Sequence, residues 1–258
     1  MRTAHSKGGA RRRRAMMLLA MVLLINGHET TARSQPAEEG APPWRLTSVR
    51  GRPIDVLLFG AGERTVLLIG GVHGDEPAGV ALTRALVRHL RTLPPECFTM
   101  RIVVMPLANP DGLAAHRRGN THGIDLNHNF PTRNFGTVPH HGRYNGGYIS
   151  ASEPETRAML QVVDAYQPAL IISCHAPLAC VNYDGPAQEI ARRIAALNGL
   201  PVVAQLSGPF PNSPGSLGTY YGKERGLPVI TLELVPGQAQ WARHGAALLD
   251  AMGVLNDN

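Results

Sequence analysis

Four predominantly apolar runs punctuate the chain: TVLLIG (Thr65–Gly70), RIVVMPL (Arg101–Leu107), ALIIS (Ala169–Ser173) and PVITLEL (Pro228–Leu234). A strand covered on both faces shows no polar alternation, so each run predicts a buried strand. Between the runs the period changes. After Glu76, the residues Val80, Leu82, Leu86, Val87 and Leu90 recur at helical spacing. A second helix is predicted in SEPETRAMLQVVDAY, with Ser152 and Glu155 as a capping box and Pro154 in its first turn. A third, PAQEIARRIAALNG (Pro186–Gly199), ends on a glycine stop. QAQWARHGAALLDAMG (Gln238–Gly253) supplies the last. Strand–helix alternation predicts a single α/β domain over residues 44–253. Its sheet is expected to be twisted and mostly parallel or mixed, with helices on both faces.

At 258 residues, 43% of them apolar, the chain can bury one full core. Its formal charge of +6 has a local origin. Residues 1–34 hold seven basic side chains against the single acid Glu29, so the remainder is neutral. That removes the electrostatic footprint of a nucleic-acid-binding body. The N-terminus itself runs from four arginines into eleven apolar residues, Ala15–Ile25, and then into a polar stretch of small residues. The apolar run is shorter than the roughly 20 residues a membrane span needs. The pattern is that of a secretory signal, assigned to residues 1–34, followed by a linker over 35–43 that contains AEEGAPP. The expected location is periplasmic or secreted, with no stable membrane insertion after cleavage; retention as an N-terminal anchor is the alternative. Of the three cysteines, Cys174 and Cys180 flank a loop and either pair in an oxidising compartment or stay buried as thiols.

The chemistry gathers at the carboxyl ends of predicted strands, where open α/β sheets bind ligands. His73 and Glu76 sit three apart in a glycine-bounded turn between a strand and a helix. Zinc accepts imidazole nitrogen and carboxylate oxygen, and a catalytic site leaves one position open beyond three protein ligands. His175, just past the third apolar run, is the candidate third ligand. Glu233, an acid among aliphatic residues, is a candidate proton acceptor beside a metal-activated water. The long polar loop Asn109–Pro131 offers Arg117 and Arg118 for a developing oxyanion, and Asp125 to hold a ligand imidazole. It also offers Asn127 and His128 to hold a substrate carboxylate. Taken singly, each residue also fits a helix cap, a loop histidine, an edge-facing acid or a solvated turn.

Taken together, GGVHGDEPAG, NPDG, RGNTHGIDLNHNFP, SEPETRAML, SCHAPLACV, PGSLGTYYG and LPVITLEL resemble the zinc carboxypeptidase family, in the family's order over roughly residues 65–235. The likeness is greatest to its bacterial murein peptide amidase branch. The resemblance implies one zinc ion per chain, held by His73, Glu76 and His175, with Glu233 as general acid/base. It implies that Arg118 polarises the scissile carbonyl, that Asp125 orients the first ligand histidine and that Asn127 meets the free carboxylate beside the cut bond. The implied substrate is a murein peptide, cut at the γ-D-glutamyl–meso-diaminopimelate bond. A zinc N-acyl amino acid deacylase like succinylglutamate desuccinylase, and a non-catalytic wall-binding module on the same scaffold, are the alternatives. One departure stands out: NHNF replaces the family's Asn-Arg-Asn-Phe, placing His128 where an arginine is usual. Arg133, five residues on, is a candidate to compensate, and Tyr220 and Tyr221 are candidates for the family's substrate-closing tyrosine.

Overall fold

All four apolar runs are strands of one sheet in the computed structural model, which describes residues 45–206 and 213–255. The expected signal and linker lie outside the described residues. In chain order the strands are β1 (Leu46–Thr47), β2 (Pro53–Ile54), β3 (Leu57–Phe59), β4 (Thr65–Gly70) and β5 (Arg101–Met105). They continue with β6 (Leu170–His175), β7 (Cys180–Asp184), β8 (Val202–Val203) and β9 (Val229–Glu233). The helices are α1 (Pro77–Leu90), α2 (Pro110–Ala115), α3 (Pro154–Tyr166), α4 (Gln188–Asn198) and α5 (Gln240–Ala251).

β1 and β2 form a small antiparallel pair, and the remaining seven strands make a mixed sheet in the order β3-β5-β4-β6-β9-β7-β8. β5, β4, β6 and β9 run parallel to their neighbours in that series; β3 against β5 and β7 against β9 are antiparallel. Successive strand residues point to opposite faces. Val66, Leu68, Ile102, Val104, Ile172 and Leu232 therefore meet α1, α4 and α5 on one side. Leu67, Ile69, Val103, Met105 and Ile171 meet α3 on the other. Two apolar cores thus sandwich the central strands, which is why their sequences carry no polar alternation.

Two local expectations change, and the open alternative for the cysteines resolves to buried thiols. Helix α3 begins at Pro154 with Glu153 at its cap and no side-chain cap bond, so Ser152 and Glu155 form no capping box. Glu155 instead accepts from the backbone of Val49 and from Asn120, tying α3 to the loops beside it. The long polar loop opens with α2, because Asn109 accepts from Gly112 N at 2.8 Å and Pro110 supplies a first-turn residue that needs no donor. Cys174 and Cys180 are free, buried thiols; β9 runs between their strands. Burial pushes Cys174 up to about 12, so it carries no reactive thiolate. Among the described residues no helix is long and apolar enough to cross a membrane.

One buried group gives the fold a pH dependence. His244 on α5 is fully buried, with Nδ1 3.3 Å from Asn198 Nδ2. Burial, helped by Arg243, lowers its pKa from 6.5 to about 4. The unfolded chain takes up a proton first, so this contribution is complete above pH 6.5 and is lost as pH falls towards 4. In urea unfolding, His244→Gln is expected to lose less stability than the native chain between pH 7 and pH 4.5. Parallel pH profiles would show that His244 becomes charged without cost.

Candidate metal centre

The turn after β4 is pinned before it reaches α1. Asn109 N donates to Gly71 O at 2.9 Å, and Asn109 Nδ2 donates to Val72 O at 3.2 Å and Arg118 O at 3.3 Å. Gly74 N donates to Arg118 O at 3.2 Å. A Cβ at Gly74 would overlap the backbone of Gly112, so only glycine lets the two loops approach this closely. The contact holds His73 and Glu76 beside the segment that carries Arg118 and Asp125.

His175 and Glu233 arrive differently. They are register partners at the ends of the adjacent parallel strands β6 and β9. Strand β6 continues to His175 itself, two residues beyond the apolar run.

The ligand atoms converge. His73 Nδ1 lies 2.9 Å from Glu76 Oε1 and 3.1 Å from His175 Nδ1, and His175 Nδ1 lies 3.2 Å from Glu76 Oε2. Ligands roughly 2.0–2.2 Å from a tetrahedral zinc stand roughly 3.3 Å from each other, so the three donors already have that spacing. Their far sides are held too. His73 Nε2 faces Asp125 Oδ1 at 2.9 Å, and His175 Nε2 faces Ser173 Oγ at 2.9 Å. Each imidazole therefore turns Nδ1 towards the common point.

Charge supports the same conclusion. Glu76, Asp125 and Glu233 are all buried, and Arg118 donates to two of them: Nε to Asp125 at 2.7 Å and Nη1 to Glu76 at 2.9 Å. With neutral imidazoles, three carboxylates against one guanidinium leave two buried negative charges. A divalent cation cancels them; without it, protons must. In the metal-free chain, burial alone would depress His73, but Asp125 and Glu76 hold it up at about 9. The carboxylates respond in the opposite sense: burial would raise Glu76 and Asp125, yet His73 and its neighbours pull both below the ordinary range. Glu233 departs from this. Burial raises its pKa and Glu76 adds to the rise, with His175 opposing. Its Oε2 accepts from Leu178 N at 3.3 Å.

A cavity of about 210 Å³ opens onto these groups, and His73, Glu76, Arg118, His175 and Glu233 all line it. Asn127 and His128 line it as well, but they offer different chemistry. Asn127 Oδ1 accepts from Leu217 N at 3.0 Å, which leaves the NH2 as its donor to a ligand. His128 Nδ1 lies 2.7 Å from Pro214 O. A carbonyl only accepts, so that nitrogen carries the proton; burial lowers the ring's pKa and keeps it neutral. The donor expected from His128 is thus directed at Pro214, and the ring brings no positive charge to a carboxylate.

Two further expectations are corrected. Arg133 is exposed and lies outside the cavity, its backbone N–H directed to Glu224 at 2.7 Å, because the chain turns away beyond the buried Phe130. Tyr221 is buried against Phe130 and Tyr220 lies under Arg225, so neither ring lines the cavity. The tyrosine that does is Tyr144, whose ring centroid lies 5.3 Å from Arg118 Cζ. Ser173 had a signal available: residues two apart on a strand share a face, and it stands two before His175.

Comparison with known proteins agrees with this geometry. The family model described as zinc carboxypeptidase matches residues 46–192. Murein peptide amidase A of Escherichia coli K12 is 34% identical over 187 residues, 68% of this chain and 73% of that protein. Its counterpart in Vibrio campbellii is 35% identical over 182 residues, 66% of this chain and 69% of that one. The crystal structure of a murein-tripeptide amidase from Escherichia coli O157 superposes with a TM-score of 0.68 at 30% identity, covering 86% of this chain and 98% of the other.

The proton on His73 makes metal uptake depend on pH. Below about 9 the ring must lose its Nδ1 proton to bind an ion, so zinc affinity should rise with pH across this range, by roughly tenfold per unit. Calorimetric titration of metal-free protein with zinc, in two buffers of different ionisation heat, counts the protons released. Equal affinity at pH 6.5 and pH 8.5 would rule His73 out as the linked group.

Proposed function

The chain belongs to the zinc carboxypeptidase family, and from that premise we propose that it hydrolyses an amide bond in murein peptides with one bound zinc ion. One observation carries the reading: three ligand atoms at zinc spacing share a cavity with a buried carboxylate of raised pKa. The substrate class is supported by likeness to murein peptide amidase A across most of that protein's length. We assign the cut to the γ-D-glutamyl–meso-diaminopimelate bond.

In this mechanism His73, Glu76 and His175 would hold the metal, which when bound would supply Lewis acidity towards water and the scissile carbonyl. Glu233 takes the proton of the attacking water and returns it to the departing nitrogen. Burial and the nearby Glu76 raise its affinity for that proton, and Leu178 N–H orients one carboxylate oxygen. Arg118 donates to the charge that grows on the carbonyl oxygen. Its bonds to Glu76 and Asp125 hold the guanidinium at the cavity wall. Asp125 keeps the His73 ring turned so that Nδ1 stays a ligand. The Asn127 amide donates to the carboxylate beside the cut bond.

Glu233→Gln should bind zinc as the native chain does while losing turnover of L-Ala-γ-D-Glu-meso-diaminopimelate by about 10²–10⁴-fold, the usual contribution of a general base. Product mass identifies the bond, and a chelator should abolish cleavage in the native enzyme. Release of product from N-acyl amino acids but not from the tripeptide would replace the murein reading with a deacylase.

The export pattern of residues 1–34 fits this substrate, since murein peptides of the wall lie outside the inner membrane. We therefore expect the enzyme in the periplasmic fraction of its host. Recovery from the cytosol alone would overturn that location.

A further inference from the structure

The cavity extends away from the metal along one face of the sheet. Strands β7 and β9 are antiparallel there, pairing Cys180 with Glu233, Asn182 with Thr231 and Asp184 with Val229. Glu233, Thr231, Asn182 and Asp184 all line the cavity. Four residues of β7 separate the level of Glu233 from that of Asp184, roughly 13 Å of strand. The far end is therefore beyond a short side chain at the scissile bond; only the tip of a long, extended one comes near it.

At that end stands a pair of opposite charges. Lys223 Nζ lies 3.4 Å from Asp184 Oδ1, and both side chains line the cavity. The Asp184 side chain is 11% exposed and that of Lys223 is 37% exposed. The helical turn Gly218–Lys223 presses against the acid: a Cβ at Gly218 would overlap its carboxylate, and one at Gly222 its Cβ. The fold has thus enclosed an acid where any larger neighbour would expel it. Lys223 alone does not satisfy it, because burial still raises the Asp184 pKa against the pull of Lys223. A carboxylate in that state has room for a second cation.

We propose that Asp184 and Lys223 form the recess that selects the amino acid on the leaving side of the cut bond, by binding a side chain that ends in both an ammonium and a carboxylate. Asp184 receives the ammonium and Lys223 the carboxylate. The far end of diaminopimelate carries these two groups on one carbon. The assignment rests on the murein-peptide reading for its substrate, and on the strand register and the charge pair for its place. No bond forms or breaks at this recess; it fixes the leaving amino acid through charge-assisted hydrogen bonds.

Four γ-D-glutamyl substrates separate the two charges. Their leaving residues are meso-diaminopimelate, lysine (ammonium only), 2-aminopimelate (carboxylate only) and norleucine (neither). The native enzyme should prefer the first by kcat/KM. Asp184→Asn, which keeps the shape, should cut the preference for lysine over norleucine by about tenfold or more. Lys223→Met should do the same to the preference for 2-aminopimelate over norleucine. A uniform loss on all four substrates would make the pair structural and overturn the proposal, as would a native enzyme indifferent to the far end. Calorimetry with the free amino acids on zinc-loaded protein separates this idea from the murein reading. Selective binding of meso-diaminopimelate that Asp184→Asn weakens, without cleavage of any γ-glutamyl substrate, would keep the recess and reject the assigned bond. Absence of selective binding together with absence of cleavage would reject both.

Discussion

Glu76, Asp125 and Glu233 share a small volume from which water is largely excluded, and charges of one sign resist being held there. Arg118 neutralises part of that charge by donating to Glu76 and Asp125 at once. The rest is left to the ring of His73 or to an ion. Proton and metal therefore compete for His73 Nδ1, and the raised pKa of that ring records the strength of the field that attracts either. The loop contacts, the strand register and the bonds behind each imidazole all serve to keep the charges close despite their repulsion.

Most of the frame was legible in the sequence because a sheet covered on both faces imposes a conspicuous pattern. Beyond their opening residues, Thr65 and Arg101, TVLLIG and RIVVMPL carry no polar side chain, since both of their faces meet helices. The ends of those runs then mark where a ligand site lies. His73, Glu76, His175 and Glu233 were found this way and come together in one cavity. Strand order was not legible: nothing local indicates that β9, which comes late in the chain, lies between β6 and β7.

The misreadings have a common origin in tertiary contacts. Ser152 and Glu155 have the spacing of a capping box, yet Glu155 is claimed by Val49 and Asn120, which lie distant in the chain. His128 has the sequence position of a carboxylate-gripping residue, but Pro214, 86 residues away, fixes its tautomer. Arg133 has the right charge but is exposed and lies outside the cavity. Asp184 and Lys223 carried no signal at all, since a lone acid and a lone lysine in polar surroundings look like surface. Only pairing β7 against β9 and folding the turn Gly218–Lys223 over them brings both into the cavity.

The short connection from β6 to β7 has its own consequence. Because β9 separates the two strands, residues 176–179 must pass over the end of β9. They form a roof above Glu233. Ala176 N–H reaches Glu76 at 3.1 Å and Leu178 N–H reaches Glu233 at 3.3 Å, so one stretch of backbone grips a metal-ligand carboxylate and the proton-handling carboxylate together. Any insertion or deletion in that bridge shifts both grips at once. Ion affinity and basicity are mechanically geared to each other there, and a lineage or an engineer retuning one through this bridge inherits a change in the other.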